Sequence, residues 1–124
     1  MKQKRPVNLD LTTLSFPPMA IASILHRISG IILFLFFPGM LYLLSLSLAS
    51  EQHFMQALNL LNHPVTKLLS WIVLASITYH LLAGIRHIVM DLGCGEGLSA
   101  GRKTAVLVIS LAIILAICLG IWIW

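Results

Sequence analysis

The chain has 124 residues, of which 59% are hydrophobic and only 10% charged, with a formal net charge of +4. A soluble domain carries roughly 25% charged residues, so this composition excludes a globule covered by water. The length leaves room for one domain, and the mean hydropathy of +0.98 makes the placement of the few charges decisive.

In chain order, residues 1–20 form an N-terminal arm. Lys2, Lys4 and Arg5 open it without a long apolar core directly behind them, so it does not read as a signal peptide. Nor is it the long Arg- and Ser-rich kind of a mitochondrial precursor. Phe16-Pro17-Pro18 ends it as an extended segment. A bacterial inner membrane is the expected setting.

Helix I is expected over about 21–49. Arg27 and Glu51 bracket a charge-free window containing the run Ile31 to Phe37 and the stretch Leu41 to Leu48. A spanning helix needs about 20 apolar residues at a rise of roughly 1.5 Å each, and this window supplies them. Pro38-Gly39 falls inside it. Because apolar residues continue for two more turns, the pair predicts a kink within the span.

A short outer loop follows, in which His53 and His63 read as solvated residues without metal-site spacing. Helix II is expected over about 65–91, where Lys67 and Arg86 bracket the next charge-free window. Helix III, about 104–124, is almost purely aliphatic and ends on Trp122 and Trp124, the aromatic anchors of a membrane interface. Backbone groups in lipid must pair within their own segment, which makes these windows helices. Barrel strands would alternate in polarity over about half the length. The fold class is therefore all-α integral membrane, with three transmembrane helices and a cytoplasmic N-terminal arm.

Orientation follows from the basic residues. With the N-terminus cytoplasmic, Lys2, Lys4, Arg5, Arg27, Arg86, Arg102 and Lys103 lie on or near the inner side and Lys67 alone lies outside. The C-terminus is then periplasmic. The positive charge reflects this topology and calls for no nucleic acid. Cys94, in the inner loop, and Cys118, in the outer half of a span, are too far apart for a disulfide.

Ionisable side chains within a span are costly, so each is a functional hypothesis. His80 lies about 9 Å deeper than Arg86 along helix II, and neutral imidazole is a good ligand for haem iron. Gly84 follows one turn later on the same face and would let a flat macrocycle approach the backbone. The alternative is a histidine bonded to a neighbouring helix, with Gly84 a packing contact. His87, two turns from His80, cannot reach the same iron. It could meet a haem propionate, as could Arg86 or Arg27, the alternative being basic anchors that snorkel to the interface. Ser23, Arg27 and Gly30 form one stripe of helix I, with His26 beside Ser23. A hydroxyl and a guanidinium at this boundary suit the carbonyl oxygens of a quinone head group. They equally suit a polar helix start facing phosphates. Asp91 is in reach of Arg86 or His87 as a structural pair. No second histidine reaches the depth of His80, so a bis-histidine haem would need a ligand from another subunit. All four acids lie outside the spans or at their ends, which counts against an ion-coupled transporter.

Two polar motifs then stand in helical context. Ser23-Ile24-Leu25-His26-Arg27-Ile28-Ser29-Gly30 resembles the S-x-x-H-R-x-[ST]-G signature of the cytochrome b anchor of succinate dehydrogenase (Complex II). Tyr79-His80-x-x-x-Gly84-Ile85-Arg86-His87-x-x-x-Asp91 resembles its second-helix signature, and Arg5-Pro6-Val7-Asn8-Leu9-Asp10-Leu11 its N-terminal arm. The resemblance covers nearly the whole chain. Pro38-Gly39 and the loop Gly93-Cys94-Gly95-Glu96-Gly97 fall outside it.

The resemblance implies that His80 is the axial ligand of haem b, with the second ligand from another membrane anchor subunit. It implies Ser23 and Arg27 at a site for ubiquinone or menaquinone, with His26, Arg27 and His87 near the propionates. An iron–sulfur subunit, against which the arm would pack, and a flavoprotein subunit complete the expected partners. Succinate chemistry would occur in the flavoprotein, so this chain would be non-catalytic by itself. An anchor of a fumarate reductase or of another respiratory dehydrogenase, and a haem-less structural anchor, are the alternatives.

Overall fold

The computed structural model describes residues 17–95 and 97–124. The arm motif and Glu96 lie outside the described residues. Four helices follow in order: α1 (Pro18–Ala49), α2 (Glu51–Asn62), α3 (Pro64–Asp91) and α4 (Leu98–Ile123). Three of them, α1, α3 and α4, are long and apolar enough to cross a membrane. At about 1.5 Å per residue they exceed a hydrocarbon core of roughly 30 Å, so their ends reach into the interfaces. The chain is a membrane-spanning all-α protein.

The helix boundaries have local causes. Pro18 starts α1 at a position where a missing N–H costs nothing. Pro38 lies inside α1, which continues past it to Ala49. Ser50 is fully extended, ends α1, and caps α2 by accepting the His53 N–H at 3.2 Å. His63 then caps α3 by accepting the Val65 N–H at 3.3 Å, with Pro64 at the first helical position. At the far end, Gly93 N–H bonds Met90 O and Cys94 N–H bonds Val89 O. That paired closure needs a left-handed residue, and Gly93 has φ 82°.

Two elements differ from the sequence expectation. The outer loop is mostly the helix α2, so His53 and His63 are helix-start residues rather than free loop residues. Phe54, Leu58 and Leu61 fall at helical spacing on its apolar side, while Gln52, Gln56 and Asn59 fall on the other. This amphipathic pattern suits a helix lying in the interface. In addition, α4 begins at Leu98, well before the apolar window that opens at Thr104. A window of apolar residues marks the lipid and not the ends of the helix.

The three spans touch through small residues. Ala22 and Ser29 of α1, Ser76 and Ala83 of α3, and Gly101, Ala105 and Ala112 of α4 are buried. Lipid tails are as apolar as leucine, so close backbone approach drives the packing of spans. The large side chains point outwards: Phe34 is 79% exposed and Ile121 76%.

Candidate functional site

The site lies where α1 and α3 face each other near their Arg27 and Arg86 ends. His26, on α1, stacks on His80 of α3 with ring centroids 4.2 Å apart and planes at 23°, so that a second histidine does reach the depth of His80, against the expectation from the sequence. His87, two turns further along α3, approaches His26 at 5.2 Å with planes at 43°. Spacing on α3 puts His80, Gly84 and His87 on one stripe, and that stripe meets His26.

Gly30 makes the approach possible. A Cβ on Gly30 would meet His80 Cε1 at 3.2 Å, closer than side chains normally pack. A Cβ on Gly84 would lie 3.7 Å from His26 Nε2, an ordinary contact. Each glycine of one helix therefore receives an imidazole of the other. The space expected at Gly84 for a macrocycle is bordered here by His26.

The hydrogen bonds decide the state of His80. Ser29 is buried, and its hydroxyl donates to the His26 carbonyl at 2.8 Å. A hydroxyl has one proton, so toward His80 Nδ1, at 3.0 Å, the Ser29 oxygen is an acceptor. His80 Nδ1 also lies 3.3 Å from the His26 carbonyl, which can only accept. Both neighbours require the proton on Nδ1, which leaves the Nε2 lone pair free. His26 Nε2, by contrast, is buried without a hydrogen-bond partner among the described residues.

Ser23 and Arg27 are placed differently. At 3.6 residues per turn they lie about 60° and 100° around α1 from His26, on the edge beside the histidines. Ser23 is half-buried and Arg27 is exposed. The structure thus brings His26, His80 and His87 together and puts Ser23 and Arg27 on the flank. Tyr79, next to His80, braces the seam by donating to the Ala22 carbonyl at 2.8 Å.

Arg86 does something else. It is only 7% exposed, donates from Nε to Thr104 Oγ1 at 3.1 Å and from Nη2 to Gly101 O at 3.1 Å. These two bonds tie α3 to the start of α4 and give Arg86 a structural role besides the propionate contact expected of it. Asp91 is exposed, and no ion pair forms among the described residues. Cys94 and Cys118 are free. A cavity of about 760 Å³ opens near Lys67, Tyr42 and Trp122, but it holds none of the candidate haem or quinone residues.

Sequence reasoning missed Ser29 and Thr104 as working residues. Ser29 was visible as the residue one turn after His26. Thr104 gave no signal, because its role depends on how α4 docks.

The fold and site define a polytopic membrane protein with an imidazole cluster packed between two of its spans. Residues 1–119 match the family described as succinate dehydrogenase/fumarate reductase transmembrane subunit, and the chain belongs to that family. It is 50% identical, over the whole of both chains, to the succinate dehydrogenase cytochrome b556 subunit of Coxiella burnetii (strain RSA 493 / Nine Mile phase I). It is 31% identical to the mitochondrial succinate dehydrogenase cytochrome b560 subunit of Dictyostelium discoideum, over 70% of this chain and 45% of that one.

Proposed function

We propose that this chain is the haem b-binding membrane anchor of a succinate dehydrogenase and that it contributes to the site where quinone is reduced. It would sit in a bacterial inner membrane with its N-terminus cytoplasmic and C-terminus periplasmic. Its partners would be a second anchor subunit, an iron–sulfur subunit and a flavoprotein subunit. The family and the 50% identical cytochrome b556 subunit support the setting.

The residues fit the group. The observation that carries the reading is His80, whose Nδ1 is engaged by Ser29 and the His26 carbonyl while Nε2 keeps its lone pair. Metal-bound imidazoles are held in this way, by a hydrogen bond on the nitrogen that does not bind. The orphaned Nε2 of His26 is a second polar atom awaiting a partner at the same seam. Among the described residues no three side chains could hold a metal together. The His26 and His80 rings stack 4.2 Å apart, too close to hold a macrocycle between them, so a second ligand would come from another anchor subunit.

When bound, haem supplies a one-electron redox centre. His80 would hold the iron, and His26, Arg27 and His87 would be the side chains available to its propionates. Arg27 and Ser23 stand one turn apart on the flank of α1, with side chains about 5–6 Å apart at Cβ. The hydroxyl and the guanidinium donate to the quinone carbonyl oxygens, and the guanidinium stabilises the negative charge that builds up during reduction. Ubiquinone and menaquinone both present these oxygens.

A reduced-minus-oxidised absorption spectrum of the purified complex, beside His80→Ala, tests the reading. A b-type signal in the wild type that disappears in the variant, with all subunits retained, is the expected result. An intact wild-type complex without that signal overturns the haem assignment.

A further inference from the structure

We infer that Ser29 is a positioning residue for the iron ligand, fixing the tautomer of His80 and the strength with which its Nε2 donates. The inference rests on the haem reading above and goes beyond it, because it assigns a role to a side chain that would not itself touch the haem.

Three observations carry it. Ser29 is 5% exposed, so its hydroxyl cannot exchange partners with water. Its single proton is committed to the His26 carbonyl at 2.8 Å, one turn back on the same helix. The oxygen is thereby turned into an acceptor, 3.0 Å from His80 Nδ1 on the facing helix. The other acceptor for Nδ1, the His26 carbonyl, is more distant at 3.3 Å. Gly30 completes the cradle, since a Cβ there would meet His80 Cε1 at 3.2 Å. Ser29 and Gly30 thus act together: one residue orients the ring through a bond and the next admits it by having no side chain.

The consequence is electronic as well as geometric. An acceptor on Nδ1–H draws that proton away and makes Nε2 a more basic ligand. A more basic axial ligand favours the oxidised iron, so removing the acceptor raises the midpoint potential. It also weakens retention, by about 10- to 100-fold where such outer partners are lost from metal sites.

The test uses the assembled complex with Ser29→Ala and Ser29→Thr. Haem per complex, the b-type spectrum and the midpoint potential are read together with subunit content. Ser29→Ala should shift the potential upwards and lower haem retention with the subunits still present. Ser29→Thr, which keeps a hydroxyl able to bond the preceding turn, should restore both. A purely packing role predicts no change of potential. Where Ser29→Ala yields no complex, Ser29→Cys carries the same comparison through its weaker acceptor and should move the potential in the same direction. An unchanged potential and unchanged retention in a variant lacking the hydroxyl overturns the inference while leaving the haem reading intact. A wild-type complex without a b-type signal overturns the haem reading and this inference with it.

Discussion

The α1–α3 seam and the α3–α4 seam are both polar contacts inside an apolar bundle, yet they use their polar groups differently. Between α3 and α4, Arg86 bonds Thr104 and Gly101. Further along, Trp71 donates to the Ala116 carbonyl at 2.8 Å and packs where a Cβ on Gly120 would meet it at 3.3 Å. These groups find their partners within the chain. Between α1 and α3, Ser29 and the His26 carbonyl hold one nitrogen of His80, while His26 Nε2 is buried with none of the described residues as its partner. Unsatisfied capacity in a low-dielectric setting costs free energy unless something else meets it. The α3–α4 seam is closed by its own bonds, whereas the α1–α3 seam keeps a buried polar atom with no partner among the described residues, which is what the proposed haem site calls for.

Four substitutions and one matched control break or sharpen this contrast, the four taken from the largest expected effect downwards. Arg27→Leu, on the open flank, should lower quinone reduction by about 10²-fold, as loss of a charge-stabilising donor does. Succinate oxidation by artificial dyes, measured on the same preparation, should persist. Equal loss of both activities would mean failed assembly and would remove Arg27 from the quinone site. Arg86→Leu, in the closed seam, should cost about 1.5–3 kcal/mol, the range for hydrogen bonds to a charged group. Thermal unfolding of the complex should register this, while the absorption spectrum of whatever assembles stays that of the wild type. A changed spectrum would return Arg86 to the site.

Gly30→Ala should displace the His80 ring and reduce haem content, because the new methyl group needs space that the ring occupies. Gly39→Ala is the matched comparison: nothing lies within 4 Å of its added carbon, so haem content should be unchanged. Equal behaviour of the two variants would refute the close approach at Gly30. Trp71→Phe should have the smallest effect, about 1 kcal/mol for one neutral hydrogen bond, again read by thermal unfolding and without a spectral change.

The spans were legible because lipid imposes a composition. Charge-free windows could be read between Arg27 and Glu51, between Lys67 and Arg86, and after Lys103, and each lies on one long helix. The meeting of the motifs was partly legible as well: helical spacing alone puts His80, Gly84 and His87 on one stripe. The amphipathic helix α2 was missed, although Ser50 as its cap and the spacing of Phe54, Leu58 and Leu61 were both available. Its mixed polarity resembles a loop when only charge-free windows are counted.

What the sequence by itself determined is the class of solvent, the number of spans and the list of polar side chains that lipid makes expensive. These depend on composition and on a repeat of 3.6 residues, which are local properties. Only the tertiary structure decided which of those side chains are spent. Arg86 and His80 both stand on α3 and looked equally available. α4 docks against one and supplies acceptors for two of its donors, while Ser29 of α1 meets the other and leaves Nε2 free. Spacing along one helix cannot show what stands opposite it, and the opposing partner determines whether a buried polar group is structural or available to a ligand.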